Sequence, residues 1–291
     1  MKSFIELKKQ REFGELLADT FAFIRNEFKP FFGALINISG PYVALFLFAM
    51  VFYMYIVGDQ FNFDLIQSNQ FYSSPLKLIS AYGLYFGTAI LAYTFTTSTV
   101  LHYIKSYVKH KGIVNVEEVK RDVYKYLWRF LGLSILKGLT IFISFLICCL
   151  PVFYFVVPMV VVLPILVFEE IGASDAYAKS FPLIKDEFWI TLATILVFLI
   201  IYWVVSSVFA IPTIIYTYAK MGIFSGEIDP GSLDTFVDPV YIFLNVLSQF
   251  FQYILNVITI VGSAFIYFNL NERKYFSGTL ERINSLGKSE E

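Results

Sequence analysis

FWITLATILVFLIIYWVVSSVFAIPTIIYTY, residues 188–218, runs for 31 positions without one charged side chain. As an α-helix it would reach about 46 Å at ~1.5 Å per residue, beyond the ~30 Å of hydrocarbon in a bilayer. A helix buried in a water-soluble core needs less, so this stretch reads as a membrane span. Working outward from it, further apolar runs occupy 31–57, 79–101, 130–150, 152–168 and 240–270. The composition agrees: 57% of residues are hydrophobic, 15% are charged and the mean hydropathy is +0.67, so water cannot be the only solvent. The chain therefore reads as all-α, a polytopic integral membrane protein with about six transmembrane helices. One transmembrane domain covers 1–275, and a short polar tail covers 276–291.

The fourth run is short and carries Pro151, Pro158 and Pro164. Proline removes a helical donor and crowds the preceding turn. Two readings stay open there, a tight hairpin turning near Cys149 to Tyr154 or a broken helix. Gly40-Pro41 and Pro212 are expected kinks. Cys148 and Cys149, the only cysteines, are adjacent and cannot tie distant segments together, so they read as packing.

Charge placement sets the expected orientation. Six Lys or Arg precede the first run and seven lie between the second and third. Lys179 and Lys185 follow the fourth, and Arg273, Lys274, Arg282 and Lys288 follow the sixth, whereas the opposite loops hold only Lys77 and Lys220. The positive-inside rule then puts both termini in the cytoplasm of a bacterial cell with the chain in its inner membrane, and turns the acidic segment Glu227 to Asp238 outward. Residues 1–30 lack the apolar core and cleavage site of a signal peptide, so the first span is expected to act as the uncleaved insertion signal.

A polar stretch of amphipathic character precedes spans 1, 3 and 5. Phe13, Leu17, Phe21, Ile24 and Phe28 form the first apolar stripe, and Val116, Val119, Val123, Leu127 and Phe130 the second, after a capping-box start at Asn115 and Glu118. Such helices lie in the membrane interface, which places Trp128 at headgroup level. The third, 174–189, is interrupted by Pro182. The stretches resemble one another: Asp19-Thr-Phe21, Asp122-Val-Tyr124 and Asp175-Ala-Tyr177 begin them, and Phe23-Ile-Arg-Asn-Glu-Phe28 matches Leu183-Ile-Lys-Asp-Glu-Phe188 in residue type. An internal threefold repeat and a coincidence of interfacial chemistry both fit, since the spacings differ between copies.

The segment from Arg11 to Phe21 continuing to Phe28-Lys-Pro30, and Pro164-Ile-Leu-Val-Phe-Glu-Glu-Ile-Gly172 followed by Ala176, Ser180 and Leu183, resemble bacterial six-span proteins related to the membrane domain of glycerophosphoryl diester phosphodiesterases. The resemblance implies a six-span fold with cytoplasmic termini. It implies no activity, because the soluble phosphodiesterase domain carried by some of those proteins has no counterpart in this sequence.

Catalytic and metal-binding constellations are not legible. His102 and His110 are the only histidines, and no HExxH, GxSxG or P-loop pattern occurs, so no catalytic, cofactor or metal ligand is assigned. Both histidines are read as part of the basic loop. Lys137 stands alone inside the third span, where it either pairs with Glu169 or Glu170 or snorkels to the interface. The sixth span carries Asn245, Gln249, Gln252, Asn256, Thr259 and Ser263 at alternating spacings of four and three, one face of a helix. Polar groups in hydrocarbon must find partners, so this seam serves either as interhelical glue or as the lining of a path for a polar solute or lipid headgroup. Thr94, Thr96, Thr97, Ser98 and Thr99 are expected to bond to their own helix backbone.

These features point first to a non-enzymatic membrane component, a subunit, scaffold or accessory factor with membrane lipids and other integral membrane proteins as partners and no nucleic acid. The alternative is a transporter or lipid-handling protein using the seam. An enzyme would have to rest on Lys137, Glu169 and Glu170.

Overall fold

The computed structural model describes residues 4–58, 75–147, 149–223 and 238–286. Every regular element among them is helical, and six helices are long and apolar enough to cross a membrane, so this is an all-α, multi-pass membrane protein. In chain order the helices are α1 (Phe13–Asn26), α2 (Phe28–Ile38), α3 (Gly40–Gly58), α4 (Pro75–Lys109), α5 (Val116–Lys125), α6 (Leu127–Ile147), α7 (Cys149–Glu169), α8 (Ala173–Ile184), α9 (Phe188–Lys220), α10 (Pro239–Tyr275) and α11 (Ser277–Leu286). One 3-10 turn, Lys185–Glu187, joins α8 to α9.

The expected spans reappear with shifted ends. The first is two helices, because Ser39 separates α2 from α3: Pro41 has no N–H to give, and Tyr42 and Val43 both donate to the Ser39 carbonyl at 3.1 Å to restart the helix. The second and sixth continue to Lys109 and Tyr275, past the apolar runs. The fourth, α7, is unbroken despite Pro158 and Pro164 inside it, and packs against α6 as a hairpin, Cys148 between them lying outside the described residues. Val157, Met159, Val161, Val162 and Ile165 are fully buried. Neighbours thus hold the helix where proline withholds donors. Pro212 likewise lies within an uninterrupted α9.

The amphipathic stretches are helices α1, α5 and α8. Asn115 caps α5, its Oδ1 accepting from the N–H groups of Glu117 and Glu118 at 3.1 and 3.2 Å. The elbows into the spans explain the uneven spacing seen in sequence. Glu27 (φ −99°, ψ 11°) and Tyr126 (φ −98°, ψ 6°) share one backbone conformation. Each donates to the carbonyl four residues back, and each accepts from the buried aromatic four residues on, Phe31 and Phe130. The third elbow is instead the 3-10 turn after Pro182. Measured to Glu27, Tyr126 and Glu187, the aspartates Asp19, Asp122 and Asp175 stand eight, four and twelve residues back, offsets that differ by about one helical turn. Matching the aspartates therefore mismatched the elbows.

The chain divides into two compact units. The first comprises Met1–Ile38, Thr94–Ile200 and Val257–Glu291. Its core is ringed by aromatics: Phe23 meets Phe31, Tyr107 and Phe265 edge-on at 5.1–6.1 Å, and Tyr103 packs on Phe31 at 5.1 Å. On α10, Gly262 admits the Phe198 ring so closely that a Cβ would lie 2.7 Å from its Cζ. The second unit, Ser39–Tyr93 with Ile201–Asn256, packs Phe46 and Tyr53 on Tyr85 at 5.6 and 4.8 Å and stacks Phe209 on Phe251 at 4.4 Å. Lipid tails are as apolar as these rings, so van der Waals fit and polar pairing rather than water exclusion hold such helices together.

The polar tail contains a helix. Glu272, 1% exposed, accepts from the N–H of Gly278 at 2.6 Å, the N–H of Thr279 at 3.0 Å and the hydroxyl of Thr279 at 2.6 Å, capping the start of α11. Ion pairs Lys8–Glu281 and Arg282–Glu6 then fasten α11 to the N-terminal segment.

Candidate functional site

All six seam residues lie on α10 and all six are half-buried. Three satisfy themselves locally: Asn245 donates to the Tyr241 carbonyl at 3.0 Å, Gln252 to the Ser248 hydroxyl at 3.0 Å, and Ser263 to the Ile260 carbonyl at 2.7 Å. The cross-helix bond comes from a position beside the seam, where the Tyr253 hydroxyl donates to the Ala92 carbonyl of α4 at 2.5 Å. Asn245, Gln249, Gln252 and Asn256 belong to the second unit, Thr259 and Ser263 to the first.

Two readings are open for Lys137, pairing with Glu169 or Glu170 or snorkelling to the interface; the ion pairs seen for those two glutamates go to other lysines. Glu169 binds Lys179 at 2.6 Å and accepts from the Tyr267 hydroxyl at 3.0 Å, while Glu170 binds Lys105 at 2.7 Å. Lys137 sits half-buried on α6. The physical reason is the turn after α7: Glu170 adopts a left-handed φ of 56°, which lets two adjacent carboxylates reach cations on different helices, α8 and α4. The Lys105 ammonium holds the Glu170 carboxyl below its usual range.

His102 departs from the loop position expected of it. It is not a loop residue but lies in α4 and is 3% exposed, its Nδ1 2.8 Å from the Ser98 carbonyl and its ring stacked on Tyr126 at 6.1 Å. A carbonyl only accepts, so Nδ1 carries the hydrogen. His110 is at the exposed end of the same helix, 3.7 Å from Glu118. Among the neighbouring hydroxyls Thr99 bonds back to Phe95 at 2.7 Å as expected, whereas the buried Thr94 and Thr97 hydroxyls have no partner among the described residues.

The most connected polar side chain among the described residues is not one of the candidate site residues. Arg11 is 2% exposed; its guanidinium donates to Asp19 at 2.8 Å and to the carbonyls of Leu7 and Lys9 at 2.8 and 3.0 Å, and also to that of Glu6. It lies 5.1 Å from the Phe265 ring centroid. Nothing in the periodicity marks Arg11, because its partners are mainly carbonyls of its own loop. Arg273 continues the network, reaching the Arg11 carbonyl and Glu187 at 3.0 Å each, and Lys274 binds Asp186 at 3.2 Å. The charges counted for topology thus bind the termini to the elbow of α9.

No family model, curated protein or solved structure matches this chain.

Among its described residues the second unit carries a strong titratable pair. Most of the acidic segment Glu227 to Asp238 lies outside the described residues, but Asp238 is seen: it caps α10, accepting from the Val240 N–H at 2.8 Å, and binds Lys220 at 3.0 Å. Hydrogen bonds from the Tyr216 hydroxyl and the Lys220 ammonium push its carboxyl down to about 2 from 3.8. A depressed carboxyl stabilises the fold above its unfolded value, and that contribution disappears as pH falls from about 4 through about 2. Hydrogen exchange in the first turn of α10 should accelerate over that window in the native chain and show no such step in Asp238→Asn. A step of equal size in both proteins would refute the assignment.

Proposed function

We propose that this chain is a non-enzymatic component of an assembly in a bacterial inner membrane, a subunit or scaffold that binds another membrane-embedded helix through α4. The observation that carries the reading is the pair Gly83 and Gly87, which form a GxxxG face on α4 where an added Cβ would meet nothing within 4 Å. Within a single chain, glycines four apart usually let a neighbouring helix approach closely; here the space beside them is open. Ile79, Phe86 and Ile90 are exposed on the same stretch of helix, which suits a lipid-bathed contact surface. The internal consumption of most polar side chains in local bonds and ion pairs fits a structural platform. The distribution of Lys and Arg supports cytoplasmic termini.

Gly83→Leu with Gly87→Leu tests this. An added Cβ meets no heavy atom within 4 Å at either position, so the monomer should unfold as the native protein does. Native mass spectrometry of particles extracted in mild detergent should show a stoichiometric membrane-protein partner or second copy with the native chain, and at least about a tenfold loss of it with the double variant. Retention of the partner at full occupancy would sink the proposal.

A second reading, transport or lipid handling along the seam, is favoured by Gln249 and Asn256, half-buried amides with no hydrogen bond among the described residues. It takes precedence if the native chain is extracted alone and a solute or lipid is found against those two amides.

A further inference from the structure

Where the first turn of α6 meets α4 and the end of α7, a small cavity of about 20 Å³ is lined by His102, Lys105, Tyr126, Arg129 and Glu170 on an otherwise apolar wall. That is room for about one or two water-sized groups, such as the oxygens of an oxyanion. The donors around it are not equally committed. Lys105 is shared with Glu170, and His102 spends Nδ1–H on Ser98. Arg129 has neither an ion pair nor a hydrogen bond among the described residues. Two cations face one carboxylate, which leaves a single positive charge in excess when the histidine is neutral.

The depth of the cavity follows from its neighbour. Trp128, adjacent to Arg129 at the start of α6, is 80% exposed, and Trp189 at the matching position of α9 is 78% exposed. Exposed tryptophans at the starts of membrane helices sit at headgroup level. The cavity is therefore level with lipid phosphates, and its free guanidinium is the side chain best matched to them, since its planar fork can hold two phosphate oxygens at once.

We infer that this cavity binds the phosphate oxygens of a monoanionic phosphodiester, the headgroup of an anionic lipid, with Arg129 as the main donor and Lys105 as the second. One negative charge offsets the one positive charge in excess. The site goes beyond lateral association and does not depend on it, because it involves no residue of the Gly83–Gly87 face.

The test is thermal unfolding of the delipidated full chain in neutral detergent, titrated separately with phosphatidylglycerol, phosphatidylcholine and inorganic phosphate. Phosphatidylglycerol should raise the Tm of the native chain by about 3 °C or more near saturation, and phosphatidylcholine should not. Arg129→Gln, at an exposed position with no ion pair or hydrogen bond to lose among the described residues, should need at least about tenfold more phosphatidylglycerol for the same shift. Lys120→Gln, which removes an equal charge away from the cavity, should behave as native. If inorganic phosphate matches phosphatidylglycerol and Arg129→Gln weakens both, the site stands and its ligand is a soluble oxyanion. The inference is overturned if no anion stabilises the native chain, if Arg129→Gln responds as native, or if Lys120→Gln loses the response equally.

Discussion

Arg11→Ala should cost about 4 kcal/mol of stability, the largest effect expected of any single substitution in this chain. Removing the guanidinium strands the Asp19 carboxylate and the carbonyls of Glu6, Leu7 and Lys9, and takes a cation from the Phe265 ring. A buried acceptor left without a donor costs about 1–3 kcal/mol; the Leu7 carbonyl is buried and the Asp19, Lys9 and Glu6 acceptors are part-buried around a residue that is 2% exposed, so the losses sum to less than four full penalties. Arg11→Lys keeps the charge but has one donor centre where the fork has three nitrogens, so it should recover less than half of the loss. Unfolding in mild detergent by titrated denaturing surfactant, followed by far-UV circular dichroism, measures both. Stability within about 1 kcal/mol of native for Arg11→Ala would show that the loop carbonyls find other donors.

Glu272→Ala should cost about 3 kcal/mol, and the loss should be local. Among the described residues the carboxylate is the acceptor for both the Gly278 and Thr279 N–H groups at the start of α11. Without it the helix should fray and release its ion pairs to Lys8 and Glu6, while α1 to α10 stay folded. Gly278→Ala should reproduce the effect by another route, because its Cβ would lie 2.6 Å from the Lys8 carbonyl oxygen, a backbone atom that cannot turn aside. Hydrogen exchange over 277–286 reads both variants. Native protection in either would refute the docking of α11.

How far the candidate sites could be read beforehand differs among them. The seam was legible as a face of α10, because alternating spacings of three and four are a property of one helix. Its bonding was not: Asn245 turns to its own Tyr241 carbonyl, and the neighbouring Tyr253 makes the link to α4. The phosphate-sized cavity was hidden because Lys105 and Arg129 had already been explained as topology signals, and His102 as one more loop residue. The elbows were legible only in part, since amphipathic period marks each helix but the residue that ends it is fixed by what the next span buries, Phe31 in one case and Phe130 in the other.

By itself the sequence determined that this chain crosses a membrane through apolar helices, where those helices lie, and that amphipathic helices precede three of them. Each of those facts is local: lipid requires every backbone group to be bonded within its own helix, so length and period along the chain suffice. Only the tertiary structure decided that Glu169 takes Lys179, that Glu170 takes Lys105, and that Arg11 is buried. A charge pairs with whatever the packing of distant helices brings within about 4 Å, and no period along the chain encodes that distance.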